Sequence, residues 1–455
     1  MAIASISPTT GKTIQVFRPH TDAAIEQALE CGTRAFKEHR LSSFADRAAK
    51  MQRAADLLDA DRERFARIIS MEMGKIFRAS LEEIEKCTRG CRFYAEHAEE
   101  FLREHVVSTD ARRSSVRYQP LGIILAIMPW NFPFWQVFRF AVPAIMAGNM
   151  ALLKHASNVP QCALAIQQIF REAGFEGGVF QTLLIENERV ENLINDSRIK
   201  AVTLTGSDRA GSAVAHSAGR ELKKCVLELG GSDPFIVMRS ANLDQAVSIG
   251  IKERMVNTGQ SCIAAKRFLI ADAIYSEFVN RFVQGVKNLK MGDPFDPATE
   301  IGQLAAENIL SGVDTQVQQS VAAGAKILTG GKRVDRAGYF YEPTVLTDIP
   351  QNAPAYREEV FGPVALVFRV RDPAEAVALA NDSVFGLGSS VWTNDSDEQE
   401  FFARELESGM VFVNAMVASD PRLPFGGVKR SGFGRELGAE GIREFTNIKT
   451  VYISA

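Results

Sequence analysis

From Leu121 onward the chain alternates short apolar runs with amphipathic stretches, and this alternation limits the fold more than any other feature of the sequence. The runs 123–126, 150–154, 178–184, 201–205 and 225–229 read as buried strands, with helices predicted over 162–173, 191–195 and from about Ala210. Parallel strands need a crossover between them, and a helix is the usual one. The pattern therefore predicts a parallel sheet with helices on both faces. After Gly230 the alternation restarts. Strands are expected at 235–237, 267–270, 326–328, 364–370 and 390–393, with helices at 243–256 and 274–289. The first hundred residues read as helices over 22–38, 44–71 and 73–101, with Asp46 as a candidate N-cap of the second. Residues 108–118 turn basic and β-prone, and 448–453 alternate like an edge strand, a common route to subunit pairing.

The chain has 455 residues, enough for about three domains by length alone. Lys and Arg total 52 against 55 Asp and Glu, a net charge of −3 that argues against gripping nucleic acid or an anionic membrane. The six cysteines are scattered and form no C-x-x-C pair, so neither a metal site nor a disulfide framework is expected. Cys87 and Cys91, one helical turn apart and followed by His97, read as buried thiols. This usage fits a reducing, cytoplasmic compartment. The uncharged stretch 118–138 has the length of a membrane span. Pro120, Pro129 and Pro133 divide it, however, so a strand, a loop and a helix carrying Arg139 are expected in a soluble protein.

The common cofactor fingerprints are missing. No G-x-G-x-x-G follows a strand, and Gly432 to Gly438 is a decoy behind a loop; G-x-S-x-G and H-E-x-x-H are also absent. Strand 201–205 does run into Gly206, Ser207 and Gly211, a turn whose free N–H groups can take a phosphate or simply join strand to helix. Cys262 follows a tight glycine in Asn257-Thr-Gly-Gln-Ser-Cys262 and reads either as an activated thiol or as a small buried residue. Glu228 sits at an apolar strand end, where burial raises a carboxyl pKa and suits it to general-base work. In Pro129-Trp-Asn-Phe-Pro133, two prolines pin an amide that can stabilise an oxyanion without titrating.

Taken together, these runs resemble the aldehyde dehydrogenase superfamily over essentially the whole chain. The matching segments are Pro129-Trp130-Asn131-Phe132-Pro133, Leu153-Lys154, Thr205-Gly206-Ser207 with Gly211, Glu228-Leu-Gly230-Gly231, Gly259-Gln-Ser261-Cys262, Glu359-Val-Phe361-Gly-Pro363 and Pro424-Phe425-Gly-Gly427. Within the superfamily the chain is most similar to the succinate-semialdehyde dehydrogenases. The resemblance implies an α/β fold with two parallel-sheet Rossmann-like domains and a small β oligomerisation extension. It divides the chain into a NAD(P)-binding domain (1–104 and 121–229), a catalytic domain (230–440) and oligomerisation segments (105–120 and 441–455) of a homodimer or homotetramer. By the same resemblance Cys262 is the nucleophile, Asn131 an oxyanion donor and Glu228 the base that activates water. Met128, Pro129, Trp130, Lys154, Ser157, Gly206, Ser207, Gly211, Leu229, Gly230, Glu359 and Phe361 fall at cofactor positions. Arg139, Ser261, Ser419 and Phe425 fall at substrate positions.

Two positions refine this expectation. Many NAD-preferring relatives carry a glutamate where this chain has Ser157. A serine removes the repulsion against a 2′-phosphate, so NADP is expected to be preferred, with NAD tolerated. Arg139 stands where the semialdehyde enzymes place a carboxylate-binding arginine. A second arginine found in some relatives is Val256 here, which leaves one anchor and keeps a broader aldehyde dehydrogenase, acting on glutarate semialdehyde or uncharged aldehydes, as the alternative. A catalytically silent homologue would lack Cys262, Asn131 or Glu228, and all three are present. Ala264 replaces the second cysteine of some relatives, so a regulatory disulfide at that place is not expected.

Overall fold

The computed structural model describes residues 3–454. Five strands of the first sheet are parallel, in the order Lys224–Glu228, Ile199–Thr205, Ile123–Met128, Met150–His155, Phe180–Thr182. The chain lays down Ile123–Met128 first, builds outward to one side, then crosses to the other. A crevice forms where that direction reverses, at the carboxyl ends of the strands. The residues that follow those ends are Pro129, Gly206 and Leu229.

The second sheet has the order Lys326–Thr329, Thr344–Thr347, Val364–Val370, Arg267–Ala271, Pro234–Val237, Gly388–Trp392, Met410–Val413, parallel except for its first strand. Its core packs Phe235 against Phe268 and Trp392, with ring centroids 5.1 and 5.6 Å apart. Each such fully buried aromatic contributes about 2 kcal/mol of transfer free energy. A third sheet joins His105–Val106, Arg113–Pro120 and Thr446–Ile453, antiparallel, in the two stretches expected to form an extension.

The structure alters several sequence expectations. The helix expected over 44–71 is two helices, Phe44–Ala60 and Arg62–Met73, broken at Asp61. Its N-cap is Ser43, whose hydroxyl accepts the Asp46 N–H at 3.1 Å, so Asp46 is a first-turn acid and not the cap. An N-terminal hairpin, Ile3–Ile6 with Thr13–Phe17, and the helix Glu307–Ala322 were not foreseen. The unit expected over 230–440 does not hold together to its end. Gly432–Phe433 returns to the first sheet as its outer antiparallel strand, with Gly432 opposite Glu228. Phe425, Leu437 and Ile442 bury their side chains in the first core, because the edge at Lys224–Glu228 needs a partner. The uncharged stretch 118–138 resolves into strand, loop and the start of the helix Trp135–Met146. Among the described residues no helix is long and apolar enough to cross a membrane.

Candidate active site

The helix Leu243–Met255 ends in three successive left-handed residues, Asn257 (φ 53°), Thr258 (φ 57°) and Gly259 (φ 74°). For a β-branched threonine this conformation costs about 1–3 kcal/mol, and it persists only when neighbours impose it. They do: a Cβ at Gly259 would lie 2.2 Å from the Gly362 carbonyl oxygen, and Arg254 donates to the Gly259 and Val360 carbonyls at 3.1 and 3.3 Å. The coil turns Cys262 into the interdomain cleft, half-buried.

That cleft has a volume of 270 Å³ and lies at the strand crossover of the first sheet. Cys262 shares its wall with Asn131, Gln136 and Glu359. Asn131 is buried and held on three sides. Its amide donates to the Gln260 carbonyl at 3.1 Å, its side-chain oxygen accepts from Gln136 at 3.1 Å, and its backbone carbonyl accepts from Asn257 at 2.8 Å. One amide N–H is thus used for orientation and the second is left for a ligand. Beneath the thiol, the fully buried Lys266 ammonium donates to the Ser261 carbonyl at 2.7 Å and to the Cys262 carbonyl at 2.5 Å, and meets Glu359 at 3.0 Å. Sequence analysis did not single out Lys266, although a lysine inside the apolar run that follows Cys262 was a usable signal. Burial pushes the Cys262 thiol up to about 12 against the pull of Lys266 and Arg139.

Glu228 ends its strand with neither carboxylate oxygen hydrogen-bonded, resting against Gly426. Burial and then the Glu436 carboxylate push it well above the ordinary carboxyl range, with Arg139 and Arg435 opposing. The cofactor positions divide into two groups. Pro129, Trp130, Gly206, Ser207, Leu229, Gly230 and Phe361 border the cleft. There the Trp130 ring meets Phe361 edge-on at 5.8 Å. Ser207 caps the 13-residue helix Asp208–Arg220, and the Glu359 carboxylate lies against Gly230. Met128 is buried, with its carbonyl 3.2 Å from the His155 ring. Lys154 donates to Asn187 at 2.6 Å, and Ser157 is half-buried, its carbonyl taking the Ala4 N–H at 3.0 Å from the N-terminal hairpin. At Gly211 a Cβ would lie 2.5 Å from Leu229, so its missing side chain lets helix and strand end pack.

Arg139 is engaged within the chain. Its guanidinium is buried and ion-paired through Nε with Glu436, donates to Thr205 at 3.3 Å and stacks 4.4 Å over Phe425. A buried charge needs a counter-charge, and this one has its own within the chain. Phe425 is thereby a stacking partner for Arg139. Ser261 is buried and contributes its carbonyl to Lys266. Ser419 accepts from the Trp135 indole at 3.0 Å and from Lys86 at 2.6 Å. Sequence reasoning passed over Lys86, because a lysine on a long amphipathic helix resembles any solvated one.

A thiol on a strained loop, an amide held beside it and a helix start with free N–H groups at a strand crossover suit an aldehyde-oxidising, dinucleotide-dependent enzyme. The aldehyde dehydrogenase family model matches residues 1–451. The chain belongs to the aldehyde dehydrogenase family. Among its relatives in the family, a probable succinate-semialdehyde dehydrogenase [NADP(+)] of Synechocystis sp. is 54% identical and covers 100% of both chains. Succinate-semialdehyde dehydrogenase [NADP(+)] 1 of Mycobacterium bovis is 52% identical, also over 100% of both. The crystal structure of succinic semialdehyde dehydrogenase from Streptococcus pyogenes with NADP+ matches with a TM-score of 0.97 at 36% identity, covering 99% of this chain and 100% of that one.

Proposed function

We propose that this chain oxidises succinate semialdehyde to succinate with NADP as the preferred cofactor and NAD as a tolerated one. The observation that carries the chemistry is the convergence of Cys262, Asn131 and Glu359 on one cleft. The named relatives support the substrate. The groups lining the cleft fit the nicotinamide half of a dinucleotide: Ser207 and the helix start for phosphate, Glu359 for ribose hydroxyls, and Trp130 and Phe361 as apolar flanks. When bound, NADP supplies the hydride acceptor. Ser157 sets no negative charge against a 2′-phosphate, and Lys154 adds a positive one.

The residues of the chain perform the remaining chemistry. The Cys262 thiol gives up its proton to water in the cleft as its sulfur attacks the aldehyde carbon and gives a thiohemiacetal. The free Asn131 N–H and the Cys262 backbone N–H hold the developing oxyanion. Loss of hydride leaves a thioester on Cys262. Glu228 removes a proton from the water that cleaves it, and no hydrogen bond has to break for its carboxylate to turn toward the thioester. The exposed outer strand Thr446–Ile453, with Ile448 62% and Tyr452 54% exposed, supports a homodimer or homotetramer built through this sheet.

A panel of aldehydes of graded length and charge, assayed with NADP and with NAD, tests the proposal. Succinate semialdehyde with NADP should give the highest kcat/KM, and Ser157→Glu should move the preference toward NAD. A higher kcat/KM with NAD in the unaltered enzyme would overturn the cofactor assignment. Equal rates with butanal would favour the broader aldehyde dehydrogenase.

A further inference from the structure

Gln136 stands outside the Pro129 to Pro133 run, yet it lines the same cleft wall as Asn131 and Cys262. One turn of chain ties it to that run, because its N–H donates to the Phe132 carbonyl at 3.1 Å. The two N–H groups before it, of Phe134 and Trp135, go to Glu83 at 2.9 and 3.0 Å, which fixes its backbone. From there the buried side chain reaches back, and its Nε2 donates to Asn131 Oδ1 at 3.1 Å.

The other end of the same amide, Oε1, is buried without a hydrogen-bond partner among the described residues. An unpaired buried carbonyl is unfavourable, and an amide can turn over to relieve it. Turning over would set Oε1 against Asn131 Oδ1, two acceptors face to face. Gln136 therefore gives its donor to Asn131 and leaves its acceptor unserved. An apolar side chain of the same size would fill the space without that penalty, so the bond to Asn131 needs a reason beyond packing. The opposite wall supplies one. The Asn131 amide donates one N–H to the Gln260 carbonyl at 3.1 Å, and Asn257 donates to the Asn131 and Gln260 carbonyls at 2.8 and 3.1 Å. Asn131 is thus the joint between the helix start and the turn that carries Cys262. The last torsion of an asparagine side chain is soft. Without Gln136 the Asn131 oxygen loses its partner, and the amide is free to swing its second N–H away from the thiol.

We propose that Gln136 is a positioning residue for acylation: by bonding the Asn131 oxygen it keeps the free Asn131 N–H directed at the oxyanion that forms when Cys262 attacks the aldehyde. It acts through Asn131 and leaves the reactivity of the thiol itself unchanged. This rests on the oxidation proposed above.

Two measurements separate the oxyanion from the thiol. With enzyme in excess of succinate semialdehyde at saturating NADP, the rate of NADPH formation reads acylation. Alkylation of the cofactor-free enzyme by iodoacetamide, followed by mass spectrometry of the Cys262 peptide, reads the thiol with no oxyanion formed. In Gln136→Met acylation should slow at least ~10-fold, short of the ~100-fold or more expected when an oxyanion donor itself is removed, while alkylation stays within about twofold. Gln136→Glu gives an independent reading. A protonated carboxyl donates to the Asn131 oxygen as the amide does, whereas a carboxylate cannot. Its acylation rate relative to the unaltered enzyme should be near normal at low pH and fall as pH rises, with burial holding the introduced carboxyl above the usual carboxylate range. The alkylation rate at each pH accounts for Cys262, and Glu228 acts after acylation. Glu359 and Lys266 face the cleft in all three enzymes, so Gln136→Met, whose ratio should be flat, serves as their control. Undiminished acylation in Gln136→Met, an equal loss of acylation and alkylation, or a flat ratio in Gln136→Glu would each overturn the role of Gln136 while leaving the oxidation intact. If the unaltered enzyme forms no NADPH from any aldehyde of the panel, that reaction fails and the positioning role with it.

Discussion

Glu228 and Arg139 show how a single carboxylate neighbour decides what a buried group can do. Glu228 is unbonded and its pKa is raised, so at moderately low pH it is protonated and cannot take a proton from water. Deacylation should speed up as pH rises through its elevated pKa. In Glu228→Gln, rapid mixing with substrate should show one NADPH per Cys262 in a burst, followed by turnover slowed about 100-fold or more. An undiminished steady rate would remove Glu228 as the base. Arg139 was legible in the sequence as a buried cation near the site, but its counter-ion was not. Glu436 lies almost three hundred residues away, and local pattern cannot pair the two. Because Glu436 already meets its charge, Arg139→Met should affect the semialdehyde and butanal alike. It should also cost about 3 kcal/mol in chemical denaturation by orphaning Glu436. A selective rise in KM for the semialdehyde would return Arg139 to the role expected from sequence.

At the scale of elements, the helix Trp135–Met146 has no side-chain cap of its own. Glu83, from the middle of the helix Phe77–Phe101, accepts the Phe134 and Trp135 N–H groups at 2.9 and 3.0 Å and pairs with the buried Lys75. The ammonium of Lys75 also lies 3.8 Å from the Phe132 ring centroid. One carboxylate thus fixes the start of the helix that carries Gln136 and Arg139. Glu83→Leu should cost about 4 kcal/mol, since it strands a buried cation and two N–H groups. Denaturant midpoints will check this, and a loss under about 1 kcal/mol would show that water replaces the cap. The strand and helix pattern was legible because apolar period reports burial directly. The left-handed turn Asn257 to Gly259 was not, apart from its glycine. Its geometry is imposed by the Gly362 carbonyl and Arg254, which contact it across the fold.

For the molecule as a whole, the number of buried titratable groups sets a pH dependence of stability. Burial raises Asp233 to about 7 and Glu253 to about 8, and lowers His39 and His155 to about 4. An acid whose folded pKa is raised destabilises the fold as pH climbs from its unfolded value to its folded one. A histidine whose folded pKa is lowered does the opposite, between about 4 and its unfolded 6.5. Below pH 6.5 the two effects oppose each other. Between pH 6.5 and 8 the two acids outweigh the onset of Lys86 deprotonation, which acts in the opposite sense near pH 8, so stability should fall by roughly 2 kcal/mol and Tm with it. Calorimetry of the cofactor-free protein will check the sign, and a rising Tm would contradict it. Whole-chain organisation was only partly legible: two α/β units follow from the alternation, but the return of Gly432–Phe433 to the first sheet is a long-range pairing that leaves no local trace. That return has a consequence for synthesis. A nascent chain completes the Cys262 loop long before the ribosome supplies the strand that closes the first sheet, or Glu436, which neutralises Arg139. A chain cut short before Gly432 should therefore be left with an unpaired sheet edge at Lys224–Glu228 and a buried Arg139 without its counter-ion.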